Sequence, residues 1–266
     1  MQHHEAHAHR PSQHDDDARA SRRESGWDLL PQFASQSEIR VLREEISGLL
    51  KAPADHPDVL YFEDQTNGAA PALARMERFW EATPSLCTGA LGSRLRLAAS
   101  NYLGRGVSLF KDKLNMRYPH SSGYSPHQDV AAGWDAFASA FVSLCVFFEP
   151  TGPENGGFDV ATGTHRGLRF PNIDGKMSDT DFEQLAHQPI RAEGGDALLL
   201  DGEAPHRSLA NRSDRAAFHA IFTFTSASPY ARAAYYKEKL SSFGARAGEN
   251  TFEFRVFSFE SASTLL

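Results

Sequence analysis

The chain has few cysteines, no long uninterrupted apolar stretch and no excess of positive charge. Among 266 residues there are only two cysteines, Cys87 and Cys145, too few for the disulfide framework of a small secreted domain. The longest apolar run, Ala136–Phe148, is interrupted by serines and is shorter than the ~20 residues that a membrane helix needs. The first 17 residues contain no apolar signal segment. We therefore expect a cytoplasmic protein with no membrane partner.

Charge and composition narrow the class of protein further. The formal net charge is -7, and lysine and arginine are scattered rather than clustered, so no basic stripe is available to neutralise phosphates. Nucleic acid is therefore not an expected partner. With 41% hydrophobic and 23% charged residues, the composition is that of a globular protein. Nothing in it indicates an oligomeric state.

The composition changes near residue 25. Residues 1–25 are rich in histidine, acids and arginine and contain almost no large apolar side chains, so they cannot bury enough surface to become ordered. We expect a disordered tail over 1–25, and a single domain over 26–266, a length typical of one catalytic unit.

Helical patterns come before strand patterns. Apolar residues recur at helical spacing over 37–51, and two further helices are predicted over 71–81 and 85–103. Residues 107–118 then alternate as in a strand with one polar face, and short apolar segments follow over 137–148, 157–161, 196–200 and 218–224. This order predicts an α+β protein with a mainly β core, a sandwich or barrel, flanked by N-terminal helices.

Three residues could form a metal site. His127 and Asp129 form an H-x-D triplet after the polar-faced strand, and in an extended segment both project from one face. His206 follows another short apolar segment. Two imidazoles and one carboxylate suit non-haem Fe(II) and leave coordination positions open, whereas structural zinc usually takes four protein ligands. An H-x-D pair alone is also common in surface turns.

Four blocks in this order resemble the phytanoyl-CoA dioxygenase family of Fe(II)/2-oxoglutarate oxygenases. The resemblance extends from about Gly26 to Lys239, and its blocks are LFKDKLNMRYPHSSGYSPHQD at 109–129, ENGGFDVATGTHRG at 154–167, GDALLLD at 195–201 and PHRSLANRSDR at 205–215. It implies a double-stranded β-helix, a jelly roll similar to that of the cupins, with His127, Asp129 and His206 as catalytic iron ligands. It also implies Fe(II), 2-oxoglutarate and O2 as cofactor and cosubstrates.

The resemblance also suggests residues that bind the cosubstrate. Arg215 is the expected partner of the far carboxylate of 2-oxoglutarate, because the family uses an arginine after the distal histidine. Arg215 lies slightly earlier than is usual, so Arg212 and Arg117 are alternatives. Ser208, Asn115 and Lys113 are further cosubstrate candidates.

The expected activity is hydroxylation of an unactivated C–H bond of a small polar molecule, such as an amino-acid derivative, an aminophosphonate or a natural-product intermediate. Succinate and CO2 would be released. Trp134, Tyr124 and Arg117 are expected in the substrate pocket. Two other outcomes stay open: the same chemistry could lead to desaturation or cyclisation, or the protein could be a catalytically silent, metal-binding cupin. A sugar-binding or isomerase cupin is disfavoured, because it would bind metal mainly through histidines.

Overall fold

Two antiparallel β-sheets face each other and form the body of the protein. The computed structural model describes residues 24–52, 55–56, 58–64, 72–165, 167 and 169–246, so most of the predicted tail over 1–25 lies outside the described residues. The strands are β1 Trp27–Leu30, β2 Leu60–Asp64, β3 Ala72–Glu77, β4 Val107–Arg117, β5 Tyr124–His127, β6 Phe141–Phe147, β7 Phe158–Ala161, β8 His187–Pro189, β9 Ala197–Asp201, β10 His206–Ser208 and β11 Ala217–Ser226.

The sheets differ in size. The larger has the order β1-β9-β6-β11-β4-β3-β2, and the smaller has the order β5-β10-β7-β8. Strands that are far apart in sequence are adjacent in the sheets, as in a jelly roll. The helices are α1 Gln36–Lys51, α2 Pro84–Cys87, α3 Ala90–Leu103, α4 Asp179–Glu183 and α5 Ala231–Arg246.

Strand β11 lies at the centre of the larger sheet and is buried on both faces. Phe218, Phe222 and Phe224 pack with residues of α1 and α3 in one apolar cluster. Ile221, on the opposite face, belongs to a second cluster that includes Phe158 of the smaller sheet. Successive side chains of a strand point to opposite faces of the sheet. When both faces are covered, apolar residues occupy both of them, as in β11. A cavity lies on the Ile221 side.

The predicted helix over 37–51 is confirmed as α1. It begins with a capping box, in which the Ser35 side chain accepts from the Glu38 backbone and the Glu38 side chain accepts from the Ser35 backbone. The segment over 85–103 divides into α2 and α3 around Gly89, where a Cβ would lie 2.4 Å from the carbonyl oxygen of Ser85.

The predicted helix over 71–81 is wrong. Ala72–Glu77 is strand β3, and Trp80–Ala82 is a single 3-10 turn. The residue types in β3 favour helices: alanine, leucine, arginine, methionine and glutamate. The segment forms a strand instead because it gains backbone hydrogen bonds to β4, with Arg75 opposite Asn115. This pairing places the side chains of β3 beside the cavity.

Helix α5 packs against β4 and the end of β3 through buried ion pairs. Arg232 contacts Asp112 at 2.6 Å, and Lys239 contacts Glu77 at 2.5 Å. The carboxylate of Asp112 also accepts from the backbone N–H groups of Phe79 and Trp80. These contacts hold α5 so that Tyr235 faces the cavity.

Candidate metal centre and active site

His127 and His206 lie side by side on neighbouring strands. They are directly paired in the register of β5 and β10, and their ring centroids are 4.3 Å apart. Asp129 begins the 3-10 turn Asp129–Ala132 immediately after β5. The three residues offer ligand atoms within 4.8 Å of one another. The structure therefore brings the predicted ligand set together, although their role as ligands stays a prediction.

Backbone carbonyls orient both imidazoles. The Nδ1 of His127 lies 2.9 Å from the carbonyl oxygen of Ser125, and the Nδ1 of His206 lies 3.0 Å from that of Ala204. A carbonyl can only accept, so each Nδ1 donates and each Nε2 keeps its lone pair. This arrangement is typical of metal-binding histidines, whose second nitrogen is held by a hydrogen bond.

The electrostatics of the three residues match a metal site. Burial, followed by the nearby His206, lowers the pKa of His127 to about 3, and burial also lowers the pKa of His206. Burial alone would raise the pKa of Asp129, but Lys113 and the two histidines hold it below its ordinary value. At neutral pH the site therefore presents two neutral imidazoles and a carboxylate, the forms that bind a divalent metal. The donor set fits Fe(II).

A cavity of about 280 Å³ opens beside the triad. Its lining includes the predicted cosubstrate residues Lys113, Asn115 and Ser208 and the predicted pocket residues Trp134 and Tyr124. Asn115 and Ser208 come from opposite sheets, so the cavity lies between the sheets. Five of the residues selected from the sequence are thus brought to the same space as the metal ligands.

The three predicted arginines are not brought to the cavity. Arg215 and Arg212 are exposed, and neither is among the lining residues. Arg117 is buried, but its guanidinium donates to the carbonyl oxygens of Ser122 and Leu209 and also lies outside the lining. Arg215 comes just before β11, in a turn where Asn211 donates to its carbonyl oxygen. This turn leaves the Arg215 side chain in solvent, so the structure does not support the predicted contact of Arg215 with the cosubstrate, which stays a prediction.

Sequence reasoning missed several lining residues, including three whose polar groups could meet a ligand. Lys111, Arg75 and Tyr235 all line the cavity. Lys111 shares the polar phase of β4 with Lys113, a signal that could have identified it. Arg75 lies in the segment predicted to be helical, and Tyr235 belongs to α5, so neither had a local signal.

The family model described as phytanoyl-CoA dioxygenase (PhyH) matches residues 23–218, most of the chain. The chain belongs to the phytanoyl-CoA dioxygenase family. The family resemblance and the assignment as a dioxygenase of this family are therefore confirmed. The match ends within β11, so α5 lies beyond it.

Two similar curated members act on phosphonates according to their names. A methylphosphonate hydroxylase of Gimesia maris is 28% identical over 224 residues, covering 83% of this chain and 84% of the relative. A 2-aminoethylphosphonate dioxygenase from an uncultured bacterium is 27% identical over 185 residues, covering 69% and 71%.

Solved structures confirm the jelly-roll fold. EvdO2 of Micromonospora carbonacea var. aurantiaca, complexed with 2-oxoglutarate, has a TM-score of 0.65 and 21% identity, covering 82% of this chain and 92% of that chain. EctD of S. alaskensis has a TM-score of 0.67 and 19% identity, covering 83% and 79%. Within the described part of the chain, no helix combines the length and apolar character needed to cross a bilayer.

Proposed function

We propose that this member of the family is an Fe(II)- and 2-oxoglutarate-dependent hydroxylase in which His127, Asp129 and His206 hold the metal. The observation that carries the proposal is the convergence of the three ligand atoms within 4.8 Å beside a cavity. Fe(II) bound there supplies the site for 2-oxoglutarate and dioxygen and couples oxidation of a C–H bond to release of succinate and CO2.

Lys113, Asn115 and Ser208 bind the far carboxylate of 2-oxoglutarate in this proposal. Lys113 and Asn115 lie two residues apart on β4, and Ser208 faces them from β10. Among the described residues, Lys113 has no ion-pair or hydrogen-bond partner, and burial lowers its pKa. An ammonium in this setting gains from an incoming carboxylate, which makes it a better candidate than the exposed Arg215.

The cavity supports a small polar substrate. Its volume of about 280 Å³ is just below that of typical ligand pockets, which span roughly 300–1,000 Å³. The named activities of the relatives, on methylphosphonate and 2-aminoethylphosphonate, concern small anionic molecules. We therefore include a short phosphonate or a similar anion as the substrate class. The cytoplasmic location and the lack of a nucleic-acid partner stay predictions.

Two alternatives lead to different measurements. A catalytically silent cupin would bind the metal without 2-oxoglutarate, and the buried, unpartnered Lys113 among the described residues favours an enzyme instead. Desaturation and cyclisation yield products two hydrogen atoms lighter than the substrate, whereas hydroxylation adds one oxygen atom. Mass spectrometry of the product therefore identifies the reaction.

Anaerobic titration tests the metal site. Fe(II) followed by 2-oxoglutarate should produce a weak visible charge-transfer band with one-to-one stoichiometry. Asp129→Ala should abolish it, because one of three protein ligands is lost. Asp135→Ala, which removes an exposed carboxylate six residues later, is the matched control and should keep the band. A full band in Asp129→Ala, or no band in the unsubstituted protein, would contradict the proposal.

A further inference from the structure

One buried carboxylate is surrounded by three cations at one side of the cavity. Glu77 has no exposed surface and lies 3.2 Å from Arg75, 3.6 Å from Lys111 and 2.5 Å from Lys239. The one negative charge of Glu77 cannot balance both of the cations that line the cavity, Arg75 and Lys111. Among the described residues, this side of the cavity, formed by β3 and β4, therefore keeps a positive excess.

Two of these cations reach the cavity itself. Arg75 and Lys111 are lining residues, whereas Glu77 and Lys239 are not. Tyr235 joins them: its hydroxyl forms a hydrogen bond with Lys111, and Lys111 Nζ lies 5.5 Å from its ring centroid. The ring centroid of Trp134 lies 5.7 Å from the same Nζ. The cations thus face the cavity within a frame of aromatic rings.

The charge balance requires an anion beyond the cosubstrate. Inside the cavity Arg75, Lys111 and Lys113 are opposed by Asp129 and, behind the wall, by Glu77. A divalent metal adds two positive charges, and 2-oxoglutarate removes two. A net positive charge is left on side chains that are only 29% (Arg75) and 10% (Lys111) exposed, where an uncompensated charge is costly. A substrate with a negative group restores the balance.

We propose that Arg75, Lys111 and the Tyr235 hydroxyl form the subsite for the anionic head group of the substrate, and that they select a short alkylphosphonate. This inference rests on the proposed function and adds to it the residues that recognise the substrate. A guanidinium fork, an ammonium and a hydroxyl supply donors from three directions, which suits the three oxygens of a phosphonate. A planar carboxylate would use fewer of them.

The position of the subsite limits the length of the substrate. Lys111 and Lys113 are two residues apart on β4, a separation of about 7 Å along a strand. Lys113 and Asp129 line the same cavity, and Lys113 is the nearby cation that most lowers the pKa of Asp129, so Lys113 is on the metal side of the wall. A head group held at Lys111 therefore places only the first carbons after the phosphorus near the metal. The oxidised C–H bond should be on one of these carbons.

Anaerobic calorimetry tests the subsite without turnover. Methylphosphonate is titrated into the protein loaded with Fe(II) and 2-oxoglutarate, at a pH where it carries two negative charges. Methanesulfonate has the same shape with one charge fewer and is the matched ligand. We expect methylphosphonate to bind at least about tenfold more tightly, since its second negative charge strengthens the hydrogen bonds from Arg75 and Lys111.

Three variants assign the binding to these residues. Lys111→Met and Arg75→Met should each weaken methylphosphonate binding at least about tenfold, while Tyr235→Phe, which removes only the hydroxyl, should weaken it by less. Lys51→Met, on the exposed face of α1, is the matched control and should bind like the unsubstituted protein. The charge-transfer band should persist in every variant, which shows that each is folded and binds cosubstrate.

The outcomes separate the two proposals. If the band never forms in the unsubstituted protein, the proposed function fails. If the band forms but methanesulfonate binds as tightly as methylphosphonate, the subsite is wrong while the enzyme stands. Methylphosphonate binding that is unchanged in Lys111→Met, Arg75→Met and Tyr235→Phe would overturn the subsite in the same way.

Discussion

At the scale of single residues, Glu77 organises the cationic wall of the cavity. Its carboxylate is completely buried, and burial alone would raise its pKa. The nearby cations Lys111, Arg75 and Lys239 outweigh burial and lower the pKa from 4.5 to about 2. The native state therefore binds this proton less tightly than the unfolded chain does. The resulting stabilisation is fully present above pH 4.5 and is lost as the pH falls through 2.

Glu77→Gln should be strongly destabilising at pH 7. Removing one partner from a buried ionic cluster leaves the others uncompensated, at a cost of roughly 3–5 kcal/mol in free energy of unfolding. The difference from the unsubstituted protein should shrink as the pH falls towards 2. Urea denaturation at several pH values measures both effects. Glu193→Gln, an exposed substitution, is the control, and equal stability of the two variants at pH 7 would argue against this account.

Lys113 and Arg215 offer a direct comparison of two cations. Lys113→Met should raise the apparent KM for 2-oxoglutarate at least about tenfold, because a charge-assisted hydrogen bond to the cosubstrate is lost. Arg215→Met should leave that KM unchanged, since the Arg215 side chain is exposed and outside the cavity lining. Succinate release at varied 2-oxoglutarate measures both. The reverse pattern would restore Arg215 as the cosubstrate residue.

At the scale of secondary structure, α1 supports the larger sheet without contributing to the cavity. Its buried residues Ile39, Leu42 and Ile46 belong to the cluster that covers the outer face of β11. The helix begins at the capping box of Ser35 and Glu38. Its stability should therefore affect the free energy of unfolding and leave the site intact.

Ser35→Ala should lower the free energy of unfolding by ~1 kcal/mol, because the backbone N–H of Glu38 loses its acceptor. Affinity for Fe(II) and 2-oxoglutarate should not change. Chemical denaturation and the charge-transfer titration measure the two quantities. Ser93→Ala, an exposed serine inside α3, serves as the control and should be near neutral. Loss of cosubstrate affinity in Ser35→Ala would show that α1 does reach the site.

At the scale of the whole molecule, the metal site depends on the pairing of β5 with β10. His127 and His206 are 79 positions apart in sequence but directly opposite in register. The unfolded chain has no such arrangement, so a metal that binds the folded site stabilises the fold. Affinity for metal and thermal stability are therefore linked.

Adding Mn(II) and 2-oxoglutarate to metal-free protein should raise its melting temperature. A ligand at 100 times its dissociation constant contributes about 2.7 kcal/mol. Removing the metal with a chelator should reverse the change. Asp129→Ala should show little response, and Asp135→Ala should respond fully. Thermal melts with and without metal measure this change in melting temperature. If Asp129→Ala and the unsubstituted protein change equally, the metal binds elsewhere.

Much of the fold follows from patterns that are local in sequence. The helical period of 37–51 and the alternation of 107–117 depend on neighbouring residues, and both match α1 and β4. The segment 71–81 failed because its residues favour a helix in isolation, whereas long-range pairing with β4 stabilises a strand. Strand β1 was missed for a related reason: its pairing with β9 joins residues some 170 positions apart.

The sequence by itself determined the candidate metal ligands and the fold class. An H-x-D pair such as His127 and Asp129 is common in surface turns, so its spacing alone was not sufficient. The order of the four blocks that resemble the family selected these two residues and His206. Only the tertiary structure decided which cations face the cavity. Lys111, Arg75 and Tyr235 come from β4, β3 and α5, and they meet because β3 pairs with β4 and buried ion pairs hold α5 against them. Such convergence depends on packing between distant segments, which no local pattern encodes.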